Sequence, residues 1–587
     1  MQLRSLRRHA LLGAALLFLG SNTLCAQDTD TPAAMPGAMT PTAFDNLELV
    51  QHYQATITPD ELAAHLYFFA SDFFEGRMTA QRGQKLAAQY LASQYRRMGL
   101  TPKGNVETDD ANAPEAYFQA FDLYGHRLAR ARLDVMVEGE QRASSIFTPT
   151  AYDGHMVHVY GSSEACEGGV VFGGYGIADY DLGYNDAEAL MNKGISLSGK
   201  WVLLLRDEPL ATDSTSLLPT EDGAPSRWTT GGWSNRLRAF LGNKPMGYLI
   251  VGDVGPRGVD MNQQAAQAAQ RIRTTVDGLS LDEGASGRPF SPFFRISSEL
   301  ADKILAPTGR TIAEIKQGID ASLQPDVFEV PDVTLHCAIE RENARTSSEN
   351  VVAFIEGSDL KDEVVVISSH YDHLGMNPNA KGDGISNGAD DDGSGTVTTL
   401  EIADAFMQAK KDGYGPRRSI LFLNVTAEEL GLLGSRYFTD FEPLVPLENI
   451  VTNLNIDMIG RYDPTHPGKD NNYVYIIGSN LISQELHEIN GKLNERTGIN
   501  LDLNERFNSK DDPNQFYRRS DHWNFGKHNI PFIFFFTGTH EDYHGVGDEA
   551  HKIEYDRMAR IAQLIFATAW QVANQDSRPV VSGEGFN

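Results

Sequence analysis

The length and acidity of the chain narrow the classes of protein to which it can belong. At 587 residues it is too long for one hydrophobic core, so we expect two or three domains. Its 50 lysines and arginines stand against 79 aspartates and glutamates, which gives a formal net charge of −29. Because nucleic acids and anionic membrane surfaces would repel such a chain, it is a poor candidate for binding either of them.

The first 26 residues have the pattern of a secretory signal. Three arginines precede an apolar stretch at residues 10–20, which is too short to cross a bilayer but fits the apolar region of a signal peptide. We therefore predict a signal peptide over residues 1–26 and export of the protein to the periplasm or the cell exterior. No other segment of the sequence is long and apolar enough for a membrane helix, so we expect no membrane span in the mature chain.

After the signal peptide, changes in composition and in residue pattern divide the chain into further parts. Residues 27–54, in which Pro, Thr, Ala, Met and Gly are prominent, are predicted to form a flexible leader. Residues 55–141 start with helical patterns and are predicted to be the first part of a main domain. Residues 142–328 alternate short β-like pieces with glycine-rich connections, which indicates an inserted, smaller domain. Residues 329–580 then complete the main domain.

Cys166 and Cys337 are the two cysteines that remain after removal of the signal. In an oxidising compartment two thiols can pair in only one way. Spacing along the chain cannot show whether they lie close enough to pair, so the sequence leaves a disulfide open.

Four short apolar runs in the second part of the main domain have the pattern of buried strands. They cover residues 363–369, 419–425, 450–456 and 530–536. Runs rich in β-branched and aromatic residues suit strands that are covered on both faces, as in a largely parallel sheet between helices. The sequence therefore predicts an α/β fold with a mixed, largely parallel sheet sandwiched by helices and an inserted smaller β-rich α/β domain.

A histidine or a carboxylate follows each of these four strands, namely His370, Glu428, Asp457 and His544. Functional groups collect at the edge of an α/β sheet where the carboxyl ends of the strands lie. Buried carboxylates that converge there would repel one another unless they were paired or bound to metal. Nitrogen and oxygen ligands in this mixture suit zinc best, with manganese or cobalt as alternatives, and the absence of cysteine from the set favours an open site over a structural zinc site.

Further histidines and aspartates lie beside the candidate ligands in two segments. His370 and Asp372 lie two residues apart, so one can bind metal while the other orients the imidazole, and the adjacent His373 is interpreted as structural. The run Asp390-Asp391-Asp392 precedes Gly-Ser-Gly at the start of a predicted helix. Acids there complement the helix dipole, but at least one of the three is predicted to face the site and to bridge two cations.

Glu428 and Glu429 are adjacent acids between a predicted strand and a helix-like segment. The pair allows a division of roles in which one carboxylate binds metal and the other acts as general base towards a water molecule. Asp457 has apolar neighbours on both sides, so an unpaired carboxylate there would be costly. His544 follows Tyr543 in a polar loop, which by itself predicts nothing.

In order and content these segments resemble the co-catalytic dizinc aminopeptidase family, whose relatives include glutamate carboxypeptidases, glutaminyl cyclases and the transferrin receptor ectodomain. The resemblance covers about 300 residues, from 58 to 100 and from 350 to the end. It implies a zinc exopeptidase fold with two zinc ions per chain, peptide substrates with a free N-terminus and a cis peptide bond between Asp391 and Asp392. The inserted region resembles the protease-associated domain that often interrupts these enzymes.

The resemblance also implies a role for each candidate site residue. Glu428 falls on the general base, Asp372 on the residue that orients a histidine ligand, and Tyr543 on a donor to the developing oxyanion. The Arg519-Ser520-Asp521-His522 segment is expected at the rim of the site. The positions that resemble metal ligands are His370, Asp391 and Asp457 for one zinc and Asp391, Glu429 and His544 for the other.

Three other functions stay open beside the aminopeptidase. A carboxypeptidase of the glutamate carboxypeptidase type would need arginines for a free carboxylate, and Arg461, Arg518 and Arg519 are available. A glutaminyl cyclase needs one zinc and a shorter chain. A non-catalytic receptor or binding protein should lack ligands or the general base, and the sequence contains both. Side-chain preference and oligomeric state cannot be read from the sequence.

Overall fold

A computed structural model of the chain describes residues 39–110, 113–161, 165–231, 244–284, 291–377, 382–466 and 471–583, together with residues 236 and 240. The predicted signal peptide and the first part of the predicted leader lie outside the described residues. No helix in the described part of the chain is both long and apolar enough to cross a bilayer.

The predicted flexible leader is wrong for its last eight residues, which form helix α1 (Leu47–Gln54). The Asn46 side chain caps this helix by accepting a hydrogen bond from the backbone of Leu49. The buried Tyr53 stacks on Trp570 and donates a hydrogen bond to Asp412. These contacts pack the segment against the rest of the protein. The composition of residues 27–54, which is rich in small residues, did not predict this packing.

The described residues contain helices on both sides of the sheet. The helix at Arg82–Met98 ends at a glycine, because Gly99 takes the left-handed conformation that closes a helix. After α1 the helices are α2 (Pro59–Phe69), α3 (Arg82–Met98), α4 (Asp186–Asn192), α5 (Arg227–Thr230), α6 (Met261–Thr274), α7 (Ser298–Leu305), α8 (Ile312–Ser322), α9 (Gly395–Lys411), α10 (Leu433–Arg436), α11 (Gln484–Arg496), α12 (His522–Gly526) and α13 (Tyr555–Asn574).

The strands are equally distributed along the chain. They are β1 (Thr101–Pro102), β2 (Phe118–Val137), β3 (Glu140–Phe147), β4 (Met156–Tyr160), β5 (Ala165–Phe172), β6 (Ala178–Asp179), β7 (Tyr184–Asn185), β8 (Trp201–Leu205), β9 (Gly247–Val251), β10 (Asp277–Ser280), β11 (Phe293–Ile296), β12 (Phe328–Ile355), β13 (Leu360–His370), β14 (Gly375–Met376), β15 (Ile385–Ser386), β16 (Arg418–Val425), β17 (Ile450–Ile456), β18 (Tyr473–Ile477), β19 (Asp502–Asn504) and β20 (Phe532–Phe536).

The four predicted strands are confirmed as β13, β16, β17 and β20, and they are neighbours in one sheet. β13 runs parallel to β16 and β17, and β17 runs parallel to β20. β12 and β18 add antiparallel strands on either side. The predicted α/β fold with a mixed, largely parallel sheet is therefore confirmed, and the carboxyl ends of the four strands lie at one edge.

The protein has two main hydrophobic cores joined by a long β-ribbon, made of β2 and β12. The first core packs helices such as α9 and α13 against the strands that precede the candidate ligands, and the second lies around β5, β8 and β9. β2 and β12 pair from Phe118 with Val351 to Val137 with Val333. Because one end of the ribbon packs in each core, the chain leaves the first core before the predicted boundary at residue 142. The likeness of the second core to a protease-associated domain stays a prediction.

Cys166 and Cys337 are direct register partners on β5 and β12. Neither of them forms a disulfide in this structure. Hydrogen bonding to Cys166 and burial raise the pKa of the Cys337 thiol. The disulfide that the sequence left open would therefore join two directly opposite residues of neighbouring strands.

Candidate metal centre

The carboxyl ends of three parallel strands bring the candidate ligands to one place. His370 is the last residue of β13, and Asp457 directly follows β17. Glu428 and Glu429 lie just beyond the end of β16. This convergence is the arrangement expected at the edge of an α/β sheet.

Asp391 reaches the site from an irregular turn, Ala389–Ser394, that precedes α9. The three acids therefore lie before the helix and do not form its first turn, which corrects the sequence interpretation. The predicted cis peptide bond between Asp391 and Asp392 is present. The turn is fully buried, so its carboxylates need partners.

The two oxygens of the Asp391 carboxylate face two different groups of donors. Oδ1 lies 3.3 Å from His370 Nε2, and the same nitrogen lies 3.6 Å from Asp457 Oδ1. Oδ2 lies 3.2 Å from His544 Nε2, which lies 3.3 Å from Glu429 Oε2. The five predicted ligands thus form two clusters that share Asp391.

His373 belongs to the second cluster, contrary to its interpretation as merely structural. Its Nδ1 lies 2.8 Å from Glu429 Oε1 and 3.9 Å from Asp391 Oδ2. Since a carboxylate only accepts, the imidazole donates the hydrogen bond to Glu429. Only its position beside Asp372 could have indicated this role in the sequence. Because neighbouring residues in an extended segment normally point to opposite faces, that position did not predict that His373 faces the site.

Glu428 and Asp372 approach different ring nitrogens of His370. Glu428 Oε2 is 4.0 Å from His370 Nε2, so this carboxylate faces the first cluster. The Asp372 carboxylate is 3.7 Å from His370 Nδ1, and the Asp372 backbone carbonyl is closer, at 3.2 Å. Asp372 also accepts a hydrogen bond from the backbone of Glu428 at 3.2 Å and one from Thr79 at 2.8 Å. Asp372 therefore connects the candidate base to the candidate ligand.

Two buried carboxylates to which the sequence analysis gave no supporting role, those of Asp392 and Asp548, hold the ligand-bearing segments. The Asp392 carboxylate accepts hydrogen bonds from the backbone of His370, Gly395 and Met458, and so connects the ends of β13 and β17 to α9. Asp548 accepts hydrogen bonds from the backbone of Asp390 and Asp391, both at 3.0 Å.

Arg77 supports the same region from the opposite side. Its guanidinium donates hydrogen bonds to the backbone carbonyls of Tyr371, Asn387 and Gly388. These carbonyls flank both the histidine segment and the aspartate turn. No periodicity marks Arg77 in the sequence, because its partners are backbone atoms almost 300 residues away.

Burial and the two histidines set opposite protonation tendencies within the site. Burial alone would raise the pKa of Asp391, but interactions with the imidazoles of His370 and His544 hold it well below its ordinary value. Burial raises the pKa of Glu428 well above its ordinary value, although His370 opposes the shift. Burial lowers the pKa of His544, but Asp391 and Glu429 more than offset this and raise it to about 10. The site thus attracts positive charge.

The residues fit a pair of divalent cations. Two overlapping clusters of donor atoms are close enough to hold one ion each: His370, Asp391 and Asp457 form one, and His373, Asp391 and Glu429 form the other, in which His373 stands where His544 was predicted. Asp391 Oδ2 is buried without a hydrogen-bond partner among the described residues. Imidazole and carboxylate donors in this mixture suit zinc, and an unsatisfied buried carboxylate oxygen is what a cation would satisfy.

Two cavities meet at the candidate metal centre. A narrow one reaches from Asp391 and Asp457 to apolar side chains, namely Met458, Phe516, Phe534 and Phe536. An open cleft of about 630 Å³ extends from Glu428 and Glu429 in the other direction. Arg519, Tyr543 and His544 line both cavities. The centre therefore lies between a small apolar pocket and a larger cleft.

Tyr543 and Arg519 stand where the two cavities join, as expected for the rim segment. The Arg519 guanidinium donates a hydrogen bond of 3.2 Å to the Tyr543 hydroxyl. The Tyr543 ring stacks on His544 with the ring centroids 3.9 Å apart. Burial raises the pKa of Tyr543, so its hydroxyl stays protonated and can donate.

The sheet and the two clusters of donors define an α/β protein with a candidate two-metal centre at its strand ends. Sequence comparison identifies the family: residues 350–569 match the model described as Peptidase family M28. This part of the chain, which contains all five candidate ligands, is similar to Peptidase family M28. The predicted family resemblance is confirmed.

Curated relatives match parts of the chain. The Probable glutamate carboxypeptidase AMP1 of Arabidopsis thaliana is 27% identical over 305 residues, which are 51% of this chain and 39% of the relative. The Aminopeptidase YwaD of Bacillus subtilis is 25% identical over 241 residues, 40% of this chain and 46% of the relative. The chain thus spans less than half the length of these two proteins.

Solved structures also resemble the chain. A zinc aminopeptidase from Bacillus subtilis superposes with a TM-score of 0.45 at 16% identity, covering 88% of this chain and 95% of that one. A Peptidase M28 precursor from Shewanella amazonensis gives a TM-score of 0.44 at 17% identity, covering 92% and 98%.

Proposed function

We propose that the protein is an exported aminopeptidase that removes N-terminal residues from peptides with two zinc ions. The observation that carries the proposal is the Asp391 carboxylate, whose two oxygens face separate donor clusters 3.3 Å and 3.2 Å away. A carboxylate shared in this way suits two cations better than one. His370 and Asp457 would hold one zinc with Asp391, and Glu429 and His544 the other.

Bound zinc ions would supply a water molecule of lowered pKa and would polarise the scissile carbonyl. Glu428, whose own pKa is raised by burial, can take the proton of the attacking water and return it to the leaving amine. Tyr543 can donate a hydrogen bond to the oxygen that becomes negative during attack. The Asp372 carboxylate accepts a hydrogen bond from the Glu428 backbone and so holds Glu428 in position beside His370.

The shape of the site supports action at a chain end. The pocket beside Asp457 is narrow and ends at apolar side chains, whereas the cleft beside Glu429 is open and can take the rest of a peptide. A free α-amino group beside the acidic centre would add charge complementarity. A substrate would then lie with its first residue in the apolar pocket and its leaving portion in the cleft.

The test uses one mixed-sequence peptide and its N-acetylated form, each incubated with zinc-loaded protein and followed by mass spectrometry. Stepwise loss of N-terminal residues from the free peptide alone is the expected result. Loss of C-terminal residues from both peptides would instead establish a carboxypeptidase. If neither peptide is cut, the proposed activity is wrong and a non-catalytic binding function takes its place.

A further inference from the structure

The open cleft beside Glu429 is lined by cations, although the whole protein carries a formal net charge of −29. Four basic side chains contribute to its wall, namely Arg436, Arg518, Arg519 and Lys527. Glu428 and Glu429 line the same cleft at the metal centre, so its attraction for an anion depends on cations that no acid of the protein neutralises. The question is which of these cations are available to a ligand.

Two of the four are already neutralised by acids of the protein. Lys527 forms a salt bridge with Asp440 at 2.5 Å, and Arg436 approaches Asp440 at 3.7 Å and Asp282 at 3.6 Å. These side chains contribute to the wall of the cleft without leaving a free charge.

Arg518 and Arg519 differ, because neither forms a salt bridge with any described residue. Both are exposed. The Arg518 guanidinium lies 5.0 Å from the ring centroids of both Tyr517 and Trp523. The Arg519 guanidinium lies 5.1 Å from the Phe516 ring. Aromatic faces thus hold the two guanidinium groups in place while their hydrogen-bond donors stay largely free.

A carboxylate is the ligand that matches two such groups. Guanidinium groups bind carboxylates through paired, charge-assisted hydrogen bonds, and pre-positioned groups lose less entropy on binding. Because Arg519 also touches Tyr543 at the metal centre, the binding point lies near the scissile bond on the cleft side. A peptide that occupied the cleft would bring its first leaving residues past these arginines.

We propose that Arg518 and Arg519 form a subsite for a substrate carboxylate on the leaving-group side of the scissile bond. The inference rests on the proposed aminopeptidase function and narrows its substrates. The carboxylate has two sources: the C-terminus of a di- or tripeptide, or the side chain of an aspartate or glutamate just after the scissile bond. Either source makes short or acidic peptides better substrates than neutral, amidated ones.

The experiment compares matched peptides with the same N-terminal leucine. Leu-Ala-Ala with a free C-terminus is paired with its C-terminal amide, and Leu-Glu-Ala amide is paired with Leu-Gln-Ala amide. The zinc-loaded wild-type protein is expected to cleave the carboxylate-bearing member of at least one pair with a kcat/KM about 10-fold higher. A preference within the first pair identifies the C-terminal carboxylate, and one within the second identifies the acidic side chain.

Variants assign the preference to the arginines. Arg518→Gln is expected to bring the ratio within the preferred pair close to one, because the variant keeps a polar side chain and loses the charged guanidinium group. Arg436→Gln is the matched control, since it removes a cation of the same cleft that Asp282 and Asp440 already neutralise. The ratio should persist in this control, and each ratio is internal to one variant, so a general loss of activity does not affect it.

Several outcomes overturn the inference. A wild-type ratio near one in both pairs leaves an aminopeptidase without a carboxylate subsite. If the kcat/KM ratio within the preferred pair persists in Arg518→Gln but falls in Arg436→Gln, Arg436 and not Arg518 binds the carboxylate. If no peptide of either pair is cut, the proposed function fails, and the subsite falls with it.

Discussion

At the scale of single residues, Glu428 and Glu429 are chemically identical neighbours in different surroundings. Burial raises the pKa of Glu428 well above its ordinary value. Burial and Asp391 also act to raise the pKa of Glu429, but His373 and His544 outweigh them and lower it. A carboxylate that is easily protonated suits a general base that returns its proton, and one that stays ionised suits a ligand.

Glu428→Gln should therefore abolish peptide hydrolysis and leave metal binding intact. The amide keeps the shape of the side chain but cannot accept a proton, so we expect kcat to fall by about 100-fold or more. Peptide hydrolysis and metal content by atomic emission check this. Loss of metal together with activity would show that Glu428 is a ligand instead.

His373 gives a second prediction at this scale, because it is the residue that fixes one oxygen of Glu429. Its replacement by phenylalanine should weaken zinc binding at the proposed site that contains Glu429 by about 10- to 100-fold, since orienting partners of ligands have effects of this size. Competition with a chelator and the absorption spectrum of the cobalt-loaded protein report on this directly.

His373→Asn is the matched control for that change. Its amide nitrogen can occupy a place close to Nδ1 and donate to Glu429, so it should restore much of the lost affinity. Equal zinc affinity in the wild type and the phenylalanine variant would mean that His373 only fills space.

The sequence predicted those site residues that follow strands and missed those that act on the backbone. His370, Glu428 and Asp457 each come directly or shortly after an apolar run, so their convergence followed from the sheet alone. Arg77 and Asp392 contact backbone groups of distant segments, and no local pattern records such contacts.

At the scale of elements, strands were easier to predict than the boundaries of helices. Buried strands in a parallel sheet are apolar along their whole length, and such runs stand out in the sequence. The acids before α9 have the composition of a helix N-terminus, yet Asp391 and Asp392 take non-helical conformations because their carboxylates serve the site and the backbone. Local propensity yielded here to long-range contacts.

The start of α4 carries a buried carboxylate that makes stability depend on pH. The Asp186 side chain accepts hydrogen bonds from the backbone of Tyr175 at 3.1 Å and Ile177 at 3.0 Å. Burial raises its pKa to about 7 in the folded protein. The folded state thus binds more protons than the unfolded state between the ordinary pKa of an aspartate and about 7.

Asp186 should therefore reduce the stability of the second core as the pH rises through this interval, with no further loss above about 7. Asp186→Asn removes the titration, and its oxygen can still accept the backbone hydrogen bonds. Relative to the wild type, the variant should gain stability from pH 5 to pH 8, by at most about 3 kcal/mol. Thermal unfolding of both proteins at the two pH values measures the change, and a constant difference between them would contradict the prediction.

At the scale of the whole molecule, the sequence predicted an insertion but not how it is attached. A change of texture near residue 142 suggested a boundary, whereas β2 and β12 continue without interruption from one core to the other. Alternating half-buried residues along these strands look the same on either side of a domain boundary. Only the pairing of two segments about 200 residues apart defines the connection, and pairing is not a local property.

This connection predicts that limited proteolysis will nick the protein without separating its cores. Cleavage in exposed loops should give two bands on a denaturing gel and a single peak at the original size on gel filtration. The paired strands must unfold before the fragments can part, because their backbone hydrogen bonds and buried side chains hold both segments. Release of a freely migrating fragment of the second core under native conditions would contradict the prediction.

The ribbon also allows the second core to be removed or replaced by protein engineering. Leu123 and Thr346 are direct partners across β2 and β12, so the outgoing and returning chains lie side by side at a place close to the first core. Antiparallel neighbours at this spacing can be closed by a two-residue turn such as Asn-Gly. The whole distal half could be replaced there by a short turn or by another module, and the enzyme-like half would keep every candidate ligand.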